Sequence, residues 1–153
     1  MEQIRYKWTD GADEDFQRFY LKTEEFYSCL VGGEKNRKGF IPYNISQSIS
    51  TVVIAYIGNT AVGCAGLKSY SDTDAEIKRV WVEPVYRRRH IAVDMMQMIE
   101  NKAKEQRFSR TILQTREAMT EAVSLYEKLG YYRIENYPPY DKLEGAVCYA
   151  KDL

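Results

Sequence analysis

The chain lacks the features that mark several large protein classes. Neither charge is in excess, since Lys plus Arg and Asp plus Glu stand at 22 each. A chain so balanced creates no global field for gathering nucleic acid or an anionic membrane, so any anion binding must be local. Cysteine is scarce: Cys29, Cys64 and Cys148 are odd in number, widely spaced and form no CxxC. Neither a disulfide framework nor a zinc site is suggested, no metal is expected, and reduced thiols in the cytoplasm fit best. No run approaches the roughly 18 apolar residues of a membrane span. The N-terminal segment Met1 to Arg5 lacks the apolar core of a signal peptide. There is no internal repeat and no low-complexity tract. The absence of GxGxxG argues against a dinucleotide fold.

What is present fits one domain over 1–153, long enough to bury a sizeable core. Thirteen tyrosines make the chain unusually aromatic. Most are expected in the core or in pockets, where a phenol needs a partner. Ile4, Tyr6 and Trp8 alternate with polar residues as in a half-buried strand. Acidic start signals from Asp10 to Asp15 precede Phe16, Phe19, Tyr20, Thr23, Tyr27 and Leu30 at helical spacing, and Gly32-Gly33 stops that helix. A short second helix is expected near Ser46 to Ser50. Thr51 to Ile57 and Ala61 to Leu67 read as strands joined by a Gly58-Asn59 hairpin turn. After a turn over Ser69 to Asp74, Ala75 to Val82 is the next strand. Ile91, Met95, Ile99 and Ala103 share one face of a helix reaching about Gln106. Thr111 to Thr115 is a strand. Ala122, Leu125, Tyr126 and Leu129 form a helix face capped by Gly130. Tyr131 to Ile134 and Ala146 to Tyr149 flank a turn at Pro138-Pro139. Three meandering strands in the middle cannot all be parallel, so the class is α/β with a mixed sheet.

The most informative stretch is Val80 to Ala92. An apolar strand runs through Pro84 into the basic loop Arg87-Arg88-Arg89-His90, which opens directly into a helix. Such a strand, loop and helix aim backbone N–H groups and a helix N-terminus at one spot, which suits a phosphate. Taken alone, three arginines before a helix read as a solvated run. The strand before and Leu125 to Tyr131 after favour phosphate binding. Lys78 and Arg79 are adjacent on a strand and should face opposite ways, one of them into solvent.

Arg87 to Ala92 resembles the acyl-CoA pyrophosphate loop of the GNAT N-acetyltransferase superfamily, Gln/Arg-x-x-Gly-x-Gly/Ala after a Val-x-Pro-like strand end. Here Val82-Glu83-Pro84, Arg87 and Ala92 match, and His90 stands at the glycine position. Glu121 to Tyr131 (EAVSLYEKLGY) is similar to the family's A-x-x-L-Y-E-K-x-G-F/Y segment. Ala75 to Val82 resembles the strand before the loop, and Pro138-Pro139-Tyr140 with Val147 to Lys151 resembles the tail of a bacterial small-molecule branch. The resemblance spans nearly the whole chain. It implies a GNAT-like mixed, mostly antiparallel sheet of about seven strands flanked by helices.

It also implies acetyl-CoA as cosubstrate, without metal, and direct transfer to an amine without an acyl-enzyme. No cysteine nucleophile is assigned, and Cys64 and Cys148 are expected to fill small apolar sites. The implied cofactor contacts are Val80, Trp81 and Val82 on the strand and Arg87, Arg88, Arg89 and His90 in the loop. Ile91, Ala92 and Val93 complete the set at the helix start, together with Tyr126. The side chains of Ile91, Met95 and Ile99 read as core. Glycine at position 90 would take positive φ freely and let phosphate approach, and histidine is less tolerant there. The His90 imidazole is expected to lean away from the thioester.

Tyr126 matches the tyrosine that protonates the departing thiolate. The competing reading makes it a core residue with Ala122 and Leu125. Glu76 matches a carboxylate that acts as base through water, and a structural salt bridge is its alternative. Gln114 sits where some relatives have glutamate, and it cannot accept a proton. Met119 sits where many carry asparagine. A backbone N–H near Val82 is the expected oxyanion donor. Glu34 to Tyr43 and Tyr137 to Tyr140 are expected to line the acceptor pocket. The implied function is an N-acetyltransferase acting on a primary amine of a small molecule. The alternatives are a non-catalytic acyl-CoA-binding regulatory module, or a protein N-terminal or lysine acetyltransferase. No nucleic-acid or membrane partner is expected, and the family habit of dimerising leaves a homodimer open.

Overall fold

The computed structural model describes residues 3–30 and 49–153. The elements are β1 (Ile4–Thr9), α1 (Glu14–Leu30), β2 (Thr51–Ile57), β3 (Thr60–Ser69), β4 (Asp74–Val82), α2 (Ile91–Glu105), β5 (Arg110–Arg116), α3 (Thr120–Lys128), β6 (Tyr132–Ile134) and β7 (Ala146–Asp152). The seven strands form one sheet in the order β1-β2-β3-β4-β5-β7-β6. The β4–β5 pair is parallel, because α2 carries the chain back across the sheet between them. The other neighbours pair antiparallel. Gly58, at φ 60°, makes the β2–β3 turn as expected. The helix expected near Ser46 to Ser50 falls mostly outside the described residues, and Ile49 and Ser50 are not helical.

One face of the sheet is covered by α2 and α3. Ile91, Met95, Met96, Ile99 and Ala103 of α2 are all buried there, against Val53, Leu67, Ile77 and Leu113. Each buried Ile or Met contributes about 1.5–3 kcal/mol, so apolar burial is what docks α2. The opposite face is covered in two parts. α1 packs Phe16 and Phe19 on Val52, Ile54, Cys64 and Trp81. The segment before β7 lays Tyr137 and Tyr140 over Ile112, Cys148 and Ala150. Cys64 and Cys148 fill apolar sites as expected, with exposures of 1% and 0%.

Two irregularities in β4 position the site. Hydrogen-bonded pairing with β5 runs through Asp74, Ala75 and Glu76, opposite Arg110, Thr111 and Ile112, and then ceases although both strands continue. Glu76 is thus the last paired residue before the two strands part. On the other side, Cys64 pairs Trp81 while Gly66 pairs Lys78, so Ala65 faces both Arg79 and Val80. This is a β-bulge, with Arg79 left-handed at φ 59°. The bulge corrects the expectation for Lys78 and Arg79. Alternation fails at a bulge, and neither side chain is solvated, at 8% and 9% exposure. Lys78 reaches the Tyr140 hydroxyl, and Arg79 reaches Thr23 and Glu24 of α1.

Candidate active site

A cavity of about 860 Å³ opens along the last residues of β4, beyond its paired stretch with β5. Val80, Trp81 and Val82 form one wall, residues 86–88 and 90–93 a second, and the start of α3 with Tyr126 a third. The second wall follows from local backbone geometry. A 3₁₀ turn over Pro84–Tyr86 lifts the chain off β4, and Arg88 and His90 then take left-handed φ values of 67° and 62°. Left-handed residues in such a loop fold backbone N–H groups into an anion-binding concavity. α2 starts at Ile91, and its cap residue His90 makes no side-chain capping bond. The positive end of the helix dipole therefore faces the loop.

Arg87 folds across the mouth of this cleft. Its Nε donates to the Val82 carbonyl at 2.8 Å, and its guanidinium lies 4.8 Å from the Trp81 ring centroid. The Glu121 carboxylate at the start of α3 stands 3.8 Å away. Glu83 N–H bonds back to Val62 of β3, so by strand alternation the N–H and C=O of Val82 point to the open side. Tyr126 is 8% exposed and meets Tyr131 edge-on at 6.0 Å. Arg88, Arg89 and His90 are exposed.

The face of β4 that carries Glu76 and Lys78 presents a buried polar cluster. Glu76 is 3% exposed and accepts a hydrogen bond from the Tyr137 hydroxyl at 2.8 Å. Lys78 Nζ lies 4.0 Å from the Glu76 carboxylate and donates to the Tyr140 hydroxyl at 2.7 Å. Burial pulls the Lys78 ammonium down to about 8 from the ordinary lysine value, and Glu76 opposes that pull. Burial pushes the Tyr137 and Tyr140 phenols well above their usual range, with Glu76 adding to the effect. Burial also raises both the Cys64 and Cys148 thiols, so neither is poised as a thiolate. Among the described residues no group of three His, Cys, Asp or Glu could hold a metal. No described helix is long and apolar enough to cross a membrane.

A sequence model of the acetyltransferase (GNAT) family matches residues 5–131. The chain belongs to that family. It is therefore an acyltransferase, and solved GNAT structures share its fold. A chain from Klebsiella pneumoniae superposes with a TM-score of 0.81 at 18% identity, covering 99% of this chain and 98% of that one. A GNAT-family acetyltransferase from Staphylococcus aureus gives 0.75 at 16% identity, with 99% of each covered. A GNAT-family acetyltransferase from Elizabethkingia anophelis, solved with acetyl-CoA bound, gives 0.71 at 17% identity over all of both chains. No curated protein matches.

Of the residues singled out for the GNAT cofactor, Val80, Trp81, Val82, Arg87, Arg88, His90, Ile91, Ala92, Val93 and Tyr126 lie together around the cleft. Arg89 does not line it, and its guanidinium lies 5.4 Å from the Tyr86 ring centroid. Ile91 is core as well as wall, at 1% exposure. Glu76 is not on the cleft wall but at the parting of β4 and β5, beneath the turn at Tyr137 to Tyr140. The other expected acceptor segment, Glu34 to Tyr43, lies outside the described residues. Gln114 turns its amide to the Thr115 carbonyl at 2.7 Å.

Sequence reasoning missed one feature of this GNAT site and named another without its structural role. Phe26 of α1 lines the cleft and meets Trp81 edge-on at 5.0 Å. Its helical spacing from Lys22, which pairs with Glu83 at the foot of the loop, was the available signal. Met119 is the N-cap of α3 and supplies no capping bond. An asparagine there would cap the helix, an interaction worth about 1 kcal/mol.

Proposed function

We propose that this GNAT enzyme transfers an acetyl group from acetyl-CoA to a primary amine of a small molecule by direct attack. The observation that carries the reading is the parting of β4 and β5. A cleft with a basic loop and Tyr126 lies along β4 beyond its paired stretch with β5, and Glu76 is the last residue of that stretch. The chemistry of the site fits the cosubstrate. The loop and the α2 N-terminus suit a pyrophosphate, and the apolar strand wall suits a pantetheine arm. The E. anophelis structure, which holds acetyl-CoA, shares this fold. Acetyl-CoA would supply the activated acyl group. Glu76, through a water, takes the proton of the amine, and Tyr126 gives a proton to the departing thiolate. The Val82 N–H, aimed at the open side, is the donor for the developing oxyanion. The aromatic turn at Tyr137 to Tyr140 supports an amphipathic small-molecule acceptor. Free Cys64 and Cys148 accord with a cytoplasmic setting.

The test is release of coenzyme A thiol from acetyl-CoA with a panel of amines: phenylethylamine, spermidine, glucosamine and a lysine-containing peptide. Turnover of at least one small amine, slowed about 100-fold by Glu76→Gln, is the expected result. Turnover confined to the peptide would reassign the acceptor to protein. Calorimetric binding of coenzyme A without turnover of any amine would make the chain a binding module. No binding would overturn both readings.

The loop supplies a second prediction. His90 holds a left-handed backbone that glycine adopts without penalty, and such strain costs about 1 kcal/mol or more. His90→Gly should raise the melting temperature by about 2–4 °C and leave coenzyme A affinity by calorimetry within about twofold, because this backbone belongs to the fold and its strain is common to the free and bound protein. Weaker binding would show instead that the imidazole itself holds the ligand.

A further inference from the structure

We infer that Lys78 and Tyr137 are positioning residues for Glu76: Tyr137 fixes the orientation of its carboxylate at the parting of β4 and β5, and Lys78 sets a buried cation at ion-pair distance from it. The inference rests on Glu76 as the base.

A carboxylate that is 3% exposed must be partnered or else protonated. Glu76 has a different kind of partner at each oxygen. Oε2 accepts the Tyr137 hydroxyl at 2.8 Å, across 61 residues of sequence. Oε1 stands 4.0 Å from Lys78 Nζ, too long for a hydrogen bond, so Lys78 acts on it as a charge rather than as a ligand. A charge-assisted hydrogen bond would be about 1 Å shorter. Instead Lys78 spends a hydrogen bond of 2.7 Å on the Tyr140 hydroxyl and lies 5.4 Å from that ring centroid. Tyr140 thus holds the cation back while Tyr137 holds the anion forward.

The clamp itself is braced. Tyr137 packs edge-on against Tyr70 at 4.9 Å and against Tyr140 at 5.5 Å. The Tyr70 hydroxyl donates to the Pro138 carbonyl at 2.6 Å.

The titratable groups around Glu76 come from three strands and two connecting segments. Lys78, with Arg79 beyond it, lies on β4, and Lys68 is the β3 residue opposite Glu76. Tyr70 precedes β4, Tyr137 and Tyr140 cover the site, and Cys148 lies on β7. Burial keeps the three phenols and the Cys148 thiol protonated. Lys78 carries its charge up to about pH 8, so near neutrality it is the buried cation at ion-pair distance of Glu76. Glu76 thus faces one buried cation and one donated hydrogen bond, and each variant below removes one of the two.

The experiment is the pH profile of kcat/KM between about pH 5 and 9, with acetyl-CoA and the amine of the panel that turns over fastest. One amine throughout makes its own titration common to every curve. Lys78→Met and Tyr137→Phe should each move the acid limb up by about one pH unit, and Lys78→Arg, which keeps the charge, should leave it in place. Tyr137→Phe removes a single oxygen and serves if the lysine variants fold poorly. A uniform fall in rate with the limb unmoved in both Lys78→Met and Tyr137→Phe would overturn the inference and leave the cluster a packing device. A Glu76→Gln enzyme with the wild-type rate and profile would overturn the reading of Glu76 as base, and this inference with it.

Discussion

Tyr126→Phe should lower kcat about 100-fold while leaving KM for acetyl-CoA within about twofold. The hydroxyl is the only group removed. The ring keeps its place in the cleft wall and its edge contact with Tyr131 at 6.0 Å, so the binding surface changes little. A fall in kcat without a rise in KM means that the lost interaction exists only in the transition state. A hundredfold loss corresponds to about 2.7 kcal/mol of barrier, within the range of a positioned general acid. Tyr126 also sits at 8% exposure on a helix face with Ala122 and Leu125, which is the surrounding of an ordinary core tyrosine. A core role predicts the reverse pattern, with turnover within about threefold and a lowered melting temperature. Steady-state kinetics and thermal unfolding on one preparation decide between the two.

The parts of the site that were legible from sequence are those whose neighbours in space are neighbours in the chain. The loop from Arg87 to Ala92 and the helix face with Tyr126 lie on single strand-to-helix units, where turn chemistry and periodicity carry the geometry. The Glu76 clamp lay beyond such reasoning. Tyr137 meets Glu76 because β7 inserts between β5 and β6, which lays the preceding turn over the last β4 residue paired with β5. A hairpin reading of Tyr131 to Tyr149 pairs β6 with β7 but says nothing of the strand on β7's far side. The bulge was hidden for another reason. A left-handed residue in a strand is ordinarily announced by glycine, and here it is Arg79. Strand alternation across that position therefore failed, and two charges expected on opposite faces are both buried.

That bulge leads to the largest expected effect on stability. Arg79 has a side chain only 4% exposed, and it forms a charge pair with Glu24, whose side chain is 18% exposed. The guanidinium also donates to Thr23 Oγ1 at 3.2 Å and lies 4.4 Å from the Tyr20 ring centroid. Three residues of α1, Tyr20, Thr23 and Glu24, thus converge on one residue of β4. Removing one partner of a buried pair strands the other charge and costs about 3–5 kcal/mol, and the partial exposure of Glu24 places this site at the lower end. Glu24→Ala should lower the melting temperature by about 6–12 °C, at roughly 2–4 °C per kcal/mol for a chain of this size. Converting Arg79 to Met in the same molecule should recover much of the loss, because no cation then remains to be solvated. A drop below about 2 °C in the single variant would show that water serves Arg79 as well as Glu24 does. The effect should also reach the cleft. α1 carries Phe26 against Trp81 at 5.0 Å, and Trp81 forms the strand wall. If the Arg79 anchor sets the seat of α1, Glu24→Ala raises KM at temperatures well below its unfolding transition, where loss of folded protein cannot account for the change.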